Sequence, residues 1–162
     1  MSIKILVMDV DGTLTDGKIY MGDNGEACKA FNIKDGYGIH DILIPAGTIP
    51  VIITGRQSKI VENRCAELGI IEVHQGVKDK VAKLMEVINR LGAGLKETAY
   101  IGDDLNDMPC MRTLKEAGGI VGCPADAVKE VREYSDFVAG ARGGDGAVRE
   151  FIIYLTKRIG AG

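Results

Sequence analysis

The 162-residue chain has no tryptophan and only three phenylalanines. A platform of aromatics for stacking bases is therefore not expected. It also lacks an excess of basic charge. The formal net charge is −3 and the pI is near 5.4, so there is no electrostatic footprint for nucleic acid. No apolar run approaches the length needed to cross a bilayer, and the first residues lack the charged-then-apolar pattern of a secretory signal. The four cysteines, Cys28, Cys65, Cys110 and Cys123, are scattered without a C-x-x-C pair. Neither a zinc site nor a disulfide framework is expected from them. They fit free thiols in a reducing cytoplasm. What remains is a chain that is 46% hydrophobic and 27% charged, the composition of a globular domain large enough for a real core.

The most informative stretch is Ile3 to Asp16, I-K-I-L-V-M-D-V-D-G-T-L-T-D. Its short apolar run suits a strand buried on both faces of a parallel sheet. Asp9, Asp11, Gly12 and Thr13 then sit where the chain leaves the strand, the edge at which open α/β sheets bind ligands. The two carboxylates are expected to point in different directions and do different work, with Gly12 permitting a sharp turn. A calcium loop is excluded, because its glycine and closing glutamate are absent.

The rest of the chain alternates. A hairpin is expected over about 17–32, with strands Lys18–Met21 and Glu26–Asn32 and Asn24-Gly25 as the turn pair. A short helix should run from Gly36 to Leu43. Strands are predicted at 50–54, 70–74, 98–101, 119–121 and 136–139, and helices at 58–68, 78–91, 105–117, 125–134 and 147–158. Arg142–Gly146 reads as a flexible glycine-rich loop, and Gly160–Gly162 should fray. Strands alternating with helices imply right-handed βαβ units and a mostly parallel sheet with helices on both faces. The prediction is one Rossmann-like α/β domain over 1–162, with the hairpin as its lone insertion and 140–162 as loop and tail.

Four strand ends carry chemistry. They bring Asp9 and Asp11; Thr54, Gly55 and Arg56; Lys80; and Asp103, Asp104 and Asp107 to one sheet edge. Carboxylates so grouped repel: two unit charges about 4 Å apart cost roughly 4 kcal/mol at an effective dielectric near 20. A hard divalent cation removes that cost, and oxygen donors without His or Cys favour Mg²⁺ over zinc. The Thr54 hydroxyl, the Gly55 backbone N–H and the Lys80 charge at a helix start suit a phosphate. Each has an ordinary structural alternative: an exit from a strand, a solvated helix face, or, for Asp103-Asp104, a helix cap.

The order D-V-D-G-T, V-I-I-T-G-R, K-D-K and I-G-D-D-L-N-D resembles the haloacid dehalogenase (HAD) superfamily of phosphotransferases. T-G-R-Q-S-K-I-V-E-N-R-C-A-E-L-G, Gln75–Lys80 and R-G-G-D-G-A-V-R-E look like the branch that dephosphorylates 3-deoxy-D-manno-octulosonate (KDO) 8-phosphate, near the 9-phosphate phosphatases of sialic-type sugars. The resemblance implies an Asp9 nucleophile, an Asp11 acid/base whose backbone carbonyl also binds metal, and phosphoryl grips from Thr54 and Lys80. It implies Asp103 as a direct Mg²⁺ ligand, so that Asp9, Asp11 and Asp103 hold the ion while Asp104 and Asp107 support them. It implies a capless homotetramer with hairpins packed together, active sites at subunit interfaces, and the glycine-rich loop reaching a neighbour's site. Arg56, Arg64 and Arg142 are candidates for the sugar carboxylate, because arginine pairs bidentately with one. Arg56 favours the octulosonate branch over the nine-carbon branch. The rival classes are a non-catalytic oligomerisation module, which the intact residue set argues against, and a mutase, which would need a cap.

Overall fold

A computed structural model describes residues 2–160. Of the three residues where fraying was expected, Gly160 is still helical, and Ala161 and Gly162 lie outside the described residues. Six parallel strands form one sheet in the order β5-β4-β1-β6-β7-β8. They are β1 (Ile5–Met8), β4 (Ile49–Ile53), β5 (Glu72–His74), β6 (Thr98–Ile101), β7 (Ile120–Cys123) and β8 (Phe137–Val138). A separate antiparallel hairpin, β2 (Tyr20–Gly22) and β3 (Gly25–Cys28), follows β1. The helices are α1 (Ile33–Tyr37), α2 (Lys59–Glu67), α3 (Lys80–Arg90), α4 (Met108–Glu116), α5 (Lys129–Tyr134) and α6 (Ala147–Gly160).

The alternation of buried side chains divides the core in two. Leu6, Met8, Ile52 and Ile101 face α2 and α6, joined by Ile39, Val61, Phe151 and Ile152. Ile5, Val7, Val51, Ile53 and Tyr100 face α3, α4 and α5, joined by Leu84, Met111 and Val131. This is the period-2 geometry of a strand, and it requires helices on both faces. Phe151 lies directly on β7. A Cβ at Gly122 would meet its ring at 2.7 Å, so that strand position has no room for a side chain.

The strand order matters for function. The chain builds outward from β1 through β4 to β5, then crosses back to β6 on the other side of β1 and builds outward again. The switch point lies between β1 and β6, where a doubly wound sheet opens its ligand crevice. Met8 pairs with Ile101 and with Ile52 in register, so three chain segments leave the sheet together at that edge.

Several boundaries differ from expectation. The hairpin turn is Asp23-Asn24, with Gly22 paired to Gly25, rather than Asn24-Gly25. Asp23 and Asn24 keep negative φ and Gly25 takes φ 107°. This is not the type I′ turn that an Asn-Gly pair would make. The second hairpin strand ends at Cys28, well before Asn32. Asn32 instead caps α1 by accepting from the Lys34 N–H, so the helix starts at Ile33 rather than Gly36. It continues as a wider π-turn segment through Gly38–Leu43. α4 begins at Met108 rather than Leu105, because the carboxylate of Asp107 turns back into the preceding loop.

The glycine-rich loop is held in place rather than left flexible. Gly144 N–H donates to Thr13 O (3.1 Å) and Gly143 N–H to Asp126 Oδ1 (2.9 Å). A Cβ on Gly143 would lie 1.9 Å from Gly12 O. The buried Asp35 carboxylate receives the Gly146 and Arg149 N–H groups at the start of α6, which ties α1 to the loop.

Candidate active site

Asp9 leaves β1 directly after Met8, and its N–H still bonds to Ile101 O (3.1 Å). Its side chain is buried and meets Lys80, whose Nζ donates to Asp9 Oδ1 at 3.0 Å and to Asp107 Oδ1 at 2.9 Å. Lys80 is the first residue of α3, set by the Asp79 cap, and is itself buried. Asp107 is fully buried and completely used. Oδ1 also accepts from the Tyr100 hydroxyl (2.7 Å), and Oδ2 from the N–H groups of Asp103 (3.0 Å) and Asp104 (3.3 Å). Gly102 makes room for it: a Cβ there would sit 2.4 Å from the Asp107 Cγ.

Asp103 faces the loop after β1. Its Oδ1 accepts from the Thr13 hydroxyl (3.0 Å), and its carboxylate lies against Gly12. Gly12 has φ 89°, and a Cβ there would be 2.1 Å from Asp103 Oδ2. Both backbone and space demand glycine at this position. Asp9, Asp103 and Asp107 each present a carboxylate oxygen within 4.8 Å of the others. Burial, then repulsion from Asp107, outweighs Lys80 and pushes Asp9 up to about 6. Burial, then the charges of Asp9 and Asp107, push Asp103 up to about 8. The protein alone thus under-neutralises these acids. Among the described residues, Asp9 and Asp103 each keep an oxygen that no side chain occupies, and an all-oxygen donor set fits Mg²⁺.

Asp11 is separated from this group. Lys29 of the hairpin donates to its Oδ1 at 2.5 Å. Positions two apart share a face on an extended strand. It is the exit from β1 after Met8 that sends Asp9 and Asp11 to different partners. Thr54 is buried at the end of β4, held by backbone bonds to His74 and Val77, and exposed Gly55 follows it. A cleft of about 450 Å³ opens beside Lys80, lined by Gly55, Val77, Asn106 and Pro109 among others.

The remaining predicted residues are not drawn into the carboxylate group. Asp104 is exposed and bonds to the Leu105 N–H (2.7 Å). The three arginines have three different acidic partners: Arg56 pairs with Glu26 (3.3 Å), Arg64 with Glu67 (2.8 Å) and Arg142 with Asp126 (3.5 Å). Arg64 also lies over Phe31 and against Gly36. The sequence reading missed Tyr100, Lys29 and Glu26. Tyr100 carried a signal, a phenolic hydroxyl in the middle of a buried strand that must find a buried partner. Lys29 and Glu26 carried none, since nothing in a short hairpin says which side meets the sheet edge.

No protein-family model matches the chain. Among characterised proteins, it is 46% identical over 150 residues to the 3-deoxy-D-manno-octulosonate 8-phosphate phosphatase KdsC of Salmonella typhi, covering 92% of this chain and 77% of that protein. Against KdsC of Escherichia coli K12 the figures are 45% over 149 residues, with the same coverage. The fold superposes with TM-score 0.88 on a Moraxella catarrhalis KDO 8-phosphate phosphatase crystallised with magnesium, phosphate and KDO, at 41% identity over 96% of this chain and 86% of that one. It superposes with TM-score 0.91 on the cobalt-bound Haemophilus influenzae enzyme, at 36% identity over 98% and 90%. With the carboxylate cluster at the switch point of the same fold, the chain belongs to the KDO 8-phosphate phosphatase family of the HAD superfamily.

Proposed function

We propose that this chain is a Mg²⁺-dependent phosphatase that hydrolyses the 8-phosphate ester of KDO through an aspartyl-phosphate on Asp9. The observation that carries the reading is the Lys80 bridge from Asp9 to Asp107, with Asp103 alongside, in a chain 46% identical to a phosphatase of that ester.

Lys80 binds Asp9 Oδ1, and the second oxygen, Oδ2, is not used by the lysine. That oxygen attacks phosphorus, and the ester oxygen leaves with a proton from the Asp11 carboxyl. Asp11 then takes a proton from the water that attacks the acyl phosphate, which frees phosphate and restores Asp9. Splitting the displacement suits a carboxylate nucleophile. Lys80 lowers the repulsion between that nucleophile and an anionic ester, and Thr54 with Gly55 grips the phosphoryl oxygens. Asp9, Asp103 and the Asp11 carbonyl would hold Mg²⁺, which supplies positive charge to the phosphoryl oxygens. Asp107 holds Lys80 and the Asp103 loop, and Asp104 lies at the edge of that shell. Arg56, Arg64 and Arg142 are the proposed contacts for the sugar carboxylate.

We further propose a cytoplasmic homotetramer in which a neighbouring subunit roofs each site. Ile19, Tyr20 and Met21 of the hairpin are exposed apolar residues, which supports burial against other copies. Four free cysteines, three of them buried, support a reducing compartment. No helix among the described residues is long and apolar enough to cross a membrane.

The test is a phosphatase screen over KDO 8-phosphate, sialic-type 9-phosphates and generic sugar phosphates, with Mg²⁺ and with EDTA. KDO 8-phosphate should be preferred and EDTA should abolish turnover. Preference for a 9-phosphate would move the substrate to nine-carbon sugars, and no turnover at all would leave an oligomerisation module. Asp9→Asn should remove activity while circular dichroism stays native.

A further inference from the structure

The hairpin contributes a connected run of charges that the proposed chemistry does not yet use. Lys29 Nζ donates to Asp11 Oδ1 at 2.5 Å and pairs with Glu26 at 3.1 Å, and Glu26 in turn pairs with Arg56 from the β4 exit at 3.3 Å. The Lys29 side chain is 2% exposed, although it directly follows a hairpin whose strand residues are exposed or half-buried. A lysine gives up hydration only for well-placed partners, and here both partners are carboxylates. A single bridge between Thr15 and Phe31 closes the base of the hairpin. The ionic run ties its body to the exits of β1 and β4, beside the packing of Phe31 on the core.

We infer that Lys29, held by Glu26, is a positioning residue for Asp11. It fixes the carboxyl through Oδ1 and leaves Oδ2, which accepts no hydrogen bond among the described residues, to carry the transferred proton. The inference rests on the phosphatase reading and extends it. In an enzyme without a cap, the hairpin itself sets the geometry of the acid. Lys29 reaches Asp11 and not Asp9, so it acts on proton delivery rather than on nucleophilic attack.

The two steps separate with the leaving group. A sugar alkoxide needs a proton as it departs, whereas p-nitrophenolate leaves as a stable anion. Lys29→Met and Glu26→Gln are compared with the native enzyme on p-nitrophenyl phosphate and on the sugar phosphate it turns over best. The reading is kcat/KM, which stops at formation of the aspartyl-phosphate. Lys29→Met should lower kcat/KM on the sugar ester by about 30-fold, less than the roughly 10²–10⁴-fold that general acid catalysis supplies in full because Asp11 itself remains, and on the nitrophenyl ester only about threefold. Glu26→Gln should show the same asymmetry, weaker. The ratio of the two substrates in one preparation does not depend on how much of a variant is folded. Equal losses on both esters, or a rise in KM alone, would overturn the positioning role. Failure of the native enzyme on every phosphoester would instead sink the phosphatase reading beneath it.

Discussion

Asp107→Asn isolates what holds Lys80 against Asp9. Asp107 has no exposed surface and serves four donors: Lys80 Nζ and Tyr100 OH on one oxygen, and the N–H groups of Asp103 and Asp104 on the other. Asparagine has the same shape but one acceptor oxygen and one NH₂. Whichever way it turns, one pair of donors loses its acceptor. At pH 5, with the Asp9 carboxyl raised to about 6, Asp107 is the main anionic partner of a buried ammonium. Removing one member of a buried pair costs about 3–5 kcal/mol. Residual bonding of Lys80 to protonated Asp9 puts the expected loss near 3 kcal/mol. For a urea slope of about 2 kcal/mol/M, the midpoint drops by about 1.5 M. At pH 8.5, Asp9 is ionised and Asp103, raised to about 8, is mostly so. Deleting the third negative charge then relieves repulsion, so the loss should shrink. The assay is equilibrium urea unfolding in metal-free buffer at both pH values. Asp104→Asn is the control, and as an exposed change it should stay within about 0.5 kcal/mol. A loss under about 1 kcal/mol at pH 5, or one that grows with pH, would refute the account of Asp107 as the anchor of Lys80.

Other outcomes follow from the same cluster. Asp9 and Asp103 are both raised above the ordinary carboxylate value of 3.8, so the folded state holds protons that the unfolded state releases. Their stabilising contribution is complete below pH 3.8 and is lost as pH rises through about 6 and about 8. Metal-free melting temperature should therefore fall across that window, and the rise on adding Mg²⁺ should be larger at pH 8.5 than at pH 5.5; a Mg²⁺ effect independent of pH would contradict the assignment. Gly12→Ala adds a Cβ 2.1 Å from Asp103 Oδ2 at φ 89°. It should lower phosphatase kcat by about 100-fold or more, the scale seen when a positioned electrostatic contact is lost, and weaken Mg²⁺ binding in calorimetry. Gly25→Ala, with φ 107° and open space around the Cβ, should cost about 1 kcal/mol and leave kcat intact.

Much of the fold was legible because strands and helices announce themselves by period. Thr98–Ile101 was read to the residue, and each predicted βα unit is present. The errors fell where side chains override period. Asn32 looked like strand until its side chain capped α1, and Asp107 displaced the start of α4 by turning back on its own loop. The glycine-rich loop looked mobile because glycine frees an isolated chain. In the fold the same lack of a Cβ lets Gly143 and Gly144 press against Gly12, Thr15 and Asp16.

The sequence by itself determined the sheet, its two apolar faces and the set of acids at one edge. Those follow from local spacing and from strands that cross over with one hand. Only the tertiary structure decided who meets whom. It gave both oxygens of Asp107 to positioning, left Asp9 and Asp103 each with an oxygen that no side chain among the described residues occupies, sent the three arginines to three different acids, and brought Lys29 to Asp11 from 18 residues away. The physical reason is reach. Backbone pattern sets where a Cα lies, but a long charged side chain pairs with whichever opposite charge the folded surface brings within a few ångströms.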